Sequence, residues 1–488
     1  MIKEQKSLKL NFIMNVVLTT SSFLFPLITF PYVSRVLGPE GTGRVSFATS
    51  LISYFTLFSQ MGIPTYGISV CAKVRDDRDE LTKNAHELLI LNLIMCVIAY
   101  VVLGISLFIV PRFFEDRVLY IIVSSTIFLS AIGMEWLYKA LEQYTYITVR
   151  SIIFKLIALV SMFILVHKQN DYVIYGGISI FATSASNICN LINAHKFIST
   201  RPLRSYNFKR HLKPIGIFFA MACATTIYTH LDTLMLGFMR SNVDVGYYNA
   251  AIRIKNILLS IITSLGAVLL PRASYYVEHK QMDEFKRISA KALNFVFVLA
   301  TPLFIYFLFY AKEGIFFISG DAYYGSIMPM QVLMPTLLLI GITNIWGIQM
   351  LIPLGKAKVV LYSEIVGAIV DIVFNALLIP QYGATGAAIG TLIAESSVLV
   401  VQYMYLRNRL AFALRRIQYW KIAIALLTAT CLSLWIKFLH LSDFVSLVLS
   451  ACLFFGIYAC ILLLMKESIS KEILDIVKGK FRKIILRR

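Results

Sequence analysis

The stretch LLILNLIMCVIAYVVLGISLFIV, residues 88–110, contains no charged side chain and is long enough to cross the hydrocarbon core of a membrane. Directly before it lies a loop with four basic residues, Lys73, Arg75, Arg78 and Lys83. The same combination of an apolar run and a basic loop recurs along the 488 residues. Because a charged side chain at the centre of a bilayer is costly, the pattern predicts a series of membrane spans.

Lys and Arg are concentrated in every second loop. Of the 46 basic residues, 35 lie in alternate loops and at the two termini, whereas the intervening loops hold 7. Basic residues near a span are retained on the cytoplasmic side, so this bias predicts a polytopic membrane protein with both termini in the cytoplasm. Anionic lipid headgroups then account for the net charge of +20, and we expect no nucleic-acid partner.

The composition indicates a membrane protein, and the sequence carries no recognisable catalytic motif. Hydrophobic residues make up 58% of the chain and charged residues 15%, far from an ordinary soluble protein. The seven cysteines show no metal or redox spacing. The sequence contains no nucleophile elbow, phosphate loop or zinc signature. We therefore expect no enzymatic activity and no cofactor.

The predicted fold is all-α, with about fourteen transmembrane helices. The segment 41–48 aligns with 244–251, and a shift of about 203 residues keeps spans one to six in step with spans seven to twelve. Both halves start on the same side, so the repeats are parallel, as in some alternating-access transporters. We expect an N-terminal six-helix lobe (1–200), a C-terminal six-helix lobe (201–410), and two extra helices with a basic tail (411–488).

Seven short motifs follow one another along the chain. They are FPYVSRVLGPEG (30–41), GIPTYG (62–67), GMEWLY (133–138), DTLMLG (232–237), VGYYNA (245–250), LIPLG (351–355) and NALLIP (375–380). Together they resemble the motifs of the Wzx-type polysaccharide flippases of the MATE-like exporter superfamily, also called the MOP superfamily. One departure is visible, since Ser69 and Val70 stand where the family often carries Arg and Glu. The resemblance implies the bacterial cytoplasmic membrane as the location.

The resemblance implies a substrate, an oligosaccharide repeat unit on a polyprenyl diphosphate lipid, moved from the cytoplasmic to the outer leaflet for capsule, O-antigen or another surface polymer. It also implies membrane lipid and a polysaccharide polymerase or other assembly proteins as partners. A drug/cation antiporter of the same fold is the main alternative. A membrane enzyme is a third, disfavoured because the sequence has no long catalytic loop with paired acids.

Basic residues within spans are candidates for holding the anionic head of the cargo. Lys155 lies near the middle of span five, too deep to reach the interface easily. Arg253 could hold a diphosphate with its forked donors, or form a structural ion pair with Asp232. By their motifs, Arg253 and Arg35 also correspond to arginines of the related lipid II flippases. Arg35 could equally be an interfacial anchor.

Acidic and amide residues within spans suggest a site for the coupling ion. Asp371 and Asn375 are four residues apart, as are Thr391 and Glu395, so each pair shares a helix face. By resemblance to sodium-coupled lipid II flippases, Asp232, Asp371, Asn375 and Thr391 are candidate sodium ligands, although the order of Asp and Asn is swapped here. A carboxylate could carry a proton instead. Hydrogen bonding between helices is the alternative explanation.

Overall fold

The computed structural model describes residues 8–203, 205–415, 417–439 and 441–471. The basic residues Lys3 and Lys6 and the predicted basic tail beyond residue 471 lie outside these ranges. The described residues are helical, with no β-strand among them. They form two compact units, Met1–Gly246 and Tyr247–Arg488. The division into lobes at residues 200 and 410 stays a prediction.

Nine α-helices end before the boundary between the units. They are α1 (Leu8–Gln60), α2 (Ile63–Lys73), α3 (Arg78–Ile109), α4 (Arg117–Ile132), α5 (Glu135–Ala140), α6 (Tyr144–Leu165), α7 (Tyr172–Ile180), α8 (Asn187–Asn193) and α9 (Lys209–Met239).

Helix α10 crosses the boundary, and eight more follow it. They are α10 (Asn242–Glu278), α11 (Met282–Phe309), α12 (Ala311–Ser319), α13 (Ile327–Leu333), α14 (Thr336–Asn344), α15 (Ala357–Tyr382), α16 (Ala384–Arg415), α17 (Tyr419–Leu434) and α18 (Asp443–Leu464).

Helix α3 shows how the sequence builds a lipid-facing helix. Its first turn is capped by Asp77, whose side chain accepts hydrogen bonds from the backbone N–H groups of Asp79 and Glu80. Farther along, one face is exposed and consists of large apolar side chains four or three residues apart, whereas another face is buried and includes Asn92, Cys96, Ala99 and Leu103. An apolar face left uncovered over this length suits contact with lipid. The exposed residues are Val97, Val101, Ile105 and Phe108.

Nine segments of the described chain are long and apolar enough to cross a membrane, or eleven if each of two sharply bent pairs is one span. The first segment alone, Ile13–Lys73, has 61 residues. One crossing takes about 20 residues, and Gly38 breaks this segment with a φ of 66°. It is therefore long enough for two crossings. The prediction of a polytopic all-α membrane protein is confirmed, and the number fourteen stays a prediction.

Two glycines related by the predicted repeat lie at one tight backbone crossing. A Cβ atom on Gly43 would collide with the carbonyl oxygen of Asn242, and a Cβ atom on Gly246 would collide with the carbonyl oxygen of Pro39. A shift of 203 residues converts the first contact into the second. The equivalent segments of the two repeats therefore pack against each other through the same pair of contacts.

Candidate functional site

Lys155 is a buried cation held by neutral partners. Its side chain is 8% exposed, and its ammonium donates hydrogen bonds of 2.9 Å to the hydroxyl oxygens of Ser21 and Ser22 on α1. Among the described residues, no carboxylate lies within ion-pair distance of it. A buried ammonium that no carboxylate contacts directly is unusual in a span. The site could therefore take a negative charge from a ligand.

Arg150 lies on α6, the same helix as Lys155. It is buried, and its guanidinium donates to the side-chain oxygen of Asn187 over 3.3 Å. The carboxylate of Glu135 lies 3.7 Å away and also pairs with Lys139 over 2.8 Å. These contacts explain Arg150 as a residue that ties together the chain around α5, α6 and α8.

The other two predicted cations are placed differently from Lys155. Arg35 is exposed, and one of its guanidinium nitrogens donates to the carbonyl oxygen of Pro31, one turn earlier on α1, over 2.6 Å. Arg253 is half-buried on α10, two residues before the buried Lys255. Their roles in holding a diphosphate stay predictions.

The second unit buries four of the predicted ion-coupling residues on two neighbouring helices. Asp371 and Asn375 lie in a stripe of α15 in which every fourth residue is buried. Thr391 and Glu395 are buried on α16, which packs closely on α15, since a Cβ atom on Gly390 would collide with the side-chain oxygen of Asn375. The hydroxyl of Thr391 also bonds the hydroxyl of a tyrosine on α10, Tyr248, over 2.9 Å.

Oxygen atoms from carboxylate, amide and hydroxyl groups are the donors that hard cations prefer, so the four residues fit a sodium ion in chemical type. Asp232, the fifth candidate, is half-buried on α9, which contacts α1 and α2 of the first unit. Its convergence with the other four stays a prediction. Within the described ranges, three or more His, Cys, Asp or Glu side chains nowhere group into a metal site.

The sequence interpretation missed a buried network around Glu87. This carboxylate is fully buried on α3 and accepts from Arg210 over 2.7 and 2.9 Å. It also lies 2.7 Å from Nε2 of His211, whose Nδ1 is 2.8 Å from the hydroxyl oxygen of Tyr66 on α2. The network joins α2, α3 and the start of α9. The sequence signal for this network was Glu87 itself, an acidic residue directly before the long apolar run 88–110.

The first unit also contains a cavity of about 380 Å³ between α1, α2, α4, α9 and the π-helical segment Phe181–Ala185. Its lining is rich in hydroxyl groups and also includes Gln60 and His230. We call it the threonine cavity, after the seven hydroxyl-bearing residues Thr49, Ser53, Thr56, Thr65, Thr126, Thr183 and Thr226.

Known proteins resemble this chain over most of its length. A family model described as "Polysaccharide biosynthesis protein" matches residues 8–277, and one described as MatE matches residues 217–377. A protein of Escherichia coli (strain K12), named as a candidate O-antigen transporter, is 26% identical over 404 residues, which are 82% of this chain and 97% of that protein.

Two solved structures share the fold. Lipid II flippase MurJ matches with a TM-score of 0.74 at 14% identity, covering 94% of this chain and all of that one. An inward-facing multidrug resistance MATE family transporter of the MOP superfamily matches with a TM-score of 0.60 at 15% identity, covering 83% of this chain and 99% of the other. At these identities the likeness shows the fold alone.

The named relatives are a transporter and a flippase rather than enzymes. The first family model covers more than half of the chain, and the fold is shared with the lipid II flippase and the MATE family transporter. These findings confirm the resemblance read from the sequence motifs: the chain is Wzx-like and belongs to the polysaccharide biosynthesis protein family.

Proposed function

We propose that this chain is a flippase, which moves polyprenyl-diphosphate-linked oligosaccharide repeat units from the cytoplasmic to the outer leaflet of the bacterial cytoplasmic membrane. The observation that carries the proposal is the match to nearly the whole length, 97%, of the relative named for O-antigen transport. The structural neighbour named as a lipid II flippase supports a lipid-linked cargo. The glycan would become an O-antigen, capsule or similar surface polymer, with a polymerase among the assembly partners.

The cargo poses a physical problem that the first unit addresses in part. A diphosphate carries negative charge that hydrocarbon strongly excludes, so a carrier must supply cations and polar groups along its path. Lys155 is a buried cation whose partners in the described chain are neutral hydroxyls. We assign it, with Arg35 and Arg253, to the anionic head of the cargo. Alternating access between the two repeats would then expose this head to each side in turn.

The proposal includes coupling to a sodium or proton gradient through Asp232, Asp371, Asn375, Thr391 and Glu395. Burial of four of these on α15 and α16 supports it, because buried ionisable groups in spans mark ion or proton pathways. The cation would bind to the carboxylate, amide and hydroxyl oxygens. A proton would bind to a carboxylate.

A drug/cation antiporter is the second candidate, because the MatE model matches residues 217–377. One experiment decides between the two. The gene is deleted in its host, the polyprenyl-diphosphate-linked sugars are extracted, and the leaflet that holds them is determined with a membrane-impermeant glycosidase. A flippase predicts that completed repeat units accumulate on the cytoplasmic face and that surface polymer is lost. Normal surface polymer with heightened drug sensitivity would overturn the proposal in favour of the antiporter.

A further inference from the structure

We propose that the threonine cavity binds an uncharged sugar ring of the cargo and so selects for a neutral glycan. The inference rests on the proposed function and adds a subsite to it. The lining consists of hydroxyl, amide, imidazole and apolar groups, and no Lys, Arg, Asp or Glu of the described chain lines it. A diphosphate would need cations there and a cationic drug would need a carboxylate. A neutral polyol needs neither.

Four hydroxyl groups of the cavity donate to backbone carbonyl oxygens and keep lone pairs that can accept from a ligand. Thr49, Thr56 and Thr183 each donate their own proton to the carbonyl oxygen four residues earlier, over 2.8, 2.9 and 3.0 Å. Ser53 does the same over 2.8 Å. Since each hydroxyl has one proton and two lone pairs, these side chains keep acceptor capacity for a ligand. Sugar hydroxyls are the complementary donors.

Donors and an unused hydroxyl complete the polar lining. The amide of Gln60 supplies two N–H donors. The ring of His230 lies 3.4 Å from the hydroxyl of Ser50 through Nδ1, and its other nitrogen can bond a ligand. The hydroxyl oxygen of Thr126 is buried and has no hydrogen-bond partner among the described residues. A buried hydroxyl left in this state costs free energy, which a ligand hydroxyl would recover.

The apolar part of the lining suits the carbon face of a pyranose. Ile52, Leu57, Val123 and Ile180 contribute aliphatic surface beside the hydroxyl groups. A sugar ring presents C–H groups on its faces and hydroxyls around its edge, so a mixed lining can satisfy both. The volume of about 380 Å³ lies near the lower end of the range for small-molecule pockets, about 300–1,000 Å³. It therefore fits a monosaccharide unit rather than a whole repeat unit.

Three breaks in helical geometry meet at this cavity. Gly62, which precedes α2, has a φ of 74°. Thr183 belongs to the π-helical segment, a type of distortion that is frequent at functional sites. Helix α9 bends by 53° between Ile227 and Thr229, next to the lining residue Thr226. Irregular backbone at membrane depth is tolerated where it lines a polar cavity, and broken helices form the substrate sites of many transporters.

One of these breaks, the interruption between α1 and α2, has no counterpart in the second repeat. It is therefore not a general feature of the repeated architecture. Helices α1 and α2 are interrupted at Met61 and Gly62. The segment related by the 203-residue shift lies within the single helix α10, Asn242–Glu278. The interruption is therefore a property of the first repeat, and it coincides with the cavity wall.

The test is a binding measurement on the full chain in lipid nanodiscs. Three tritiated probes are compared: polyprenyl diphosphate alone, the same lipid with a neutral hexose disaccharide, and the same lipid with a hexuronic acid in place of one hexose. The variants are the double substitution Thr56→Val/Thr183→Val and its matched hydroxyl-retaining partner Thr56→Ser/Thr183→Ser. Thr428→Val on α17 is the control, since its exposed hydroxyl makes the same bond to a carbonyl four residues earlier.

We expect the neutral glycolipid to bind more tightly than both other probes. The double valine variant should bind it about tenfold more weakly, as the loss of two hydrogen bonds implies, with unchanged affinity for polyprenyl diphosphate alone. The serine variant and Thr428→Val should match the wild type. Equal affinity for the neutral and acidic probes, or a valine variant with wild-type affinity, would overturn the proposal. A valine variant that binds none of the probes reports misfolding, and the comparison of the neutral and acidic probes on the wild type then decides, with equal affinity overturning the proposal.

The same protein in proteoliposomes separates this inference from the proposed function. Threonine-dependent binding of the neutral probe without its movement between leaflets would refute the flippase and leave the sugar site standing. Movement of all three probes at one rate, insensitive to the valine substitutions, would refute the sugar site and leave the flippase standing.

Discussion

Removing the charge of Lys155 should abolish most transport without unfolding the protein. The variant Lys155→Met keeps the aliphatic stem and loses the ammonium. The variant loses two charged hydrogen bonds, each worth about 1.5–3 kcal/mol. It also avoids the cost of placing a charged lysine within a membrane span, which is about 2.5–3.5 kcal/mol. The hydroxyls of Ser21 and Ser22 also donate to the carbonyl oxygen of Leu18, so neither is left without a partner. At the low end of the hydrogen-bond range the two contributions nearly cancel. The free energy of unfolding should then change by about 1 kcal/mol or less.

The effect on an anionic cargo should be much larger. If the ammonium contacts the diphosphate, its loss removes a charge-assisted contact of about 1.5–3 kcal/mol, which corresponds to about a tenfold to a hundredfold loss of transport. Lys155→Arg keeps the charge and should retain part of the activity. Lys312→Met is the matched control, since Lys312 is exposed and lies 5.4 Å from the ring of Phe316.

Membrane abundance, thermal unfolding in detergent and glycolipid movement in proteoliposomes measure the two effects separately. Disappearance of Lys155→Met from the membrane, with Lys312→Met retained, would show that Lys155 serves the fold and would refute the reasoning. Full transport by a stable Lys155→Met protein would refute it equally.

Four further predictions concern other parts of the chain. Asp371→Asn and Asp232→Asn should each abolish the dependence of transport on sodium or pH, because a carboxylate would carry the coupling ion; transport profiles against both ions check this. Arg253→Ala should lose transport while the protein stays abundant, as measured by immunoblot beside the flux assay. Gly246→Ala should lower the free energy of unfolding by about 1–3 kcal/mol, since its Cβ meets backbone rather than a movable side chain; thermal unfolding measures it. Glu467→Gln should remove an acid-sensitive part of the stability, seen by comparing melting temperatures of the two proteins between neutral and acidic pH.

The sign of the Glu467 prediction follows from its surroundings. Burial raises the pKa of this carboxyl, but hydrogen bonds from the Ser470 backbone, Asn294, Ser468 and the Ile469 backbone outweigh it and hold the pKa below its usual range. The contribution to stability is therefore complete above about pH 4.3, the usual glutamate value, and is lost as the pH falls through the depressed folded-state value. The same melting curve for wild type and Glu467→Gln at every pH would contradict it.

The controls for the other three predictions are of the same kind. Gly456→Ala is the control for Gly246→Ala, because a Cβ at Gly456 meets no atom within 4 Å and alanine favours the helix. Equal losses of unfolding free energy in the two variants would contradict the tight backbone contact at Gly246. Unchanged sodium and pH profiles in both aspartate variants would refute the coupling site. Loss of Arg253→Ala from the membrane would favour its structural ion pair with Asp232.

The sequence was sufficient for features that depend on local composition. Hydropathy and basic loops predicted the polytopic all-α class, which the helices of the described chain confirm. Residues such as Asp371 and Asn375 were found because four-residue spacing places both on one helix face.

Features that depend on distant parts of the chain could not be predicted in this way. Lys155 meets serines more than 130 positions earlier, and Glu87 meets Arg210 and His211 more than 120 positions later. Periodicity describes one helix at a time and contains no information about its neighbours. The π-helical turn and the bend of α9 are likewise set by packing, which explains why the threonine cavity was not predicted.

The glycine crossing has a consequence for the ancestry of the chain. Residue 43 meets residue 242 and residue 246 meets residue 39, so the contact is reciprocal, as at the interface of a symmetric homodimer. A fused chain that keeps such a contact retains the self-complementary surface of two identical halves. In a homodimer, one mutation would change both subunits at the interface at once. In a fused chain, each half can mutate independently of the other. At this crossing, however, replacing either glycine would displace the backbone of the other repeat.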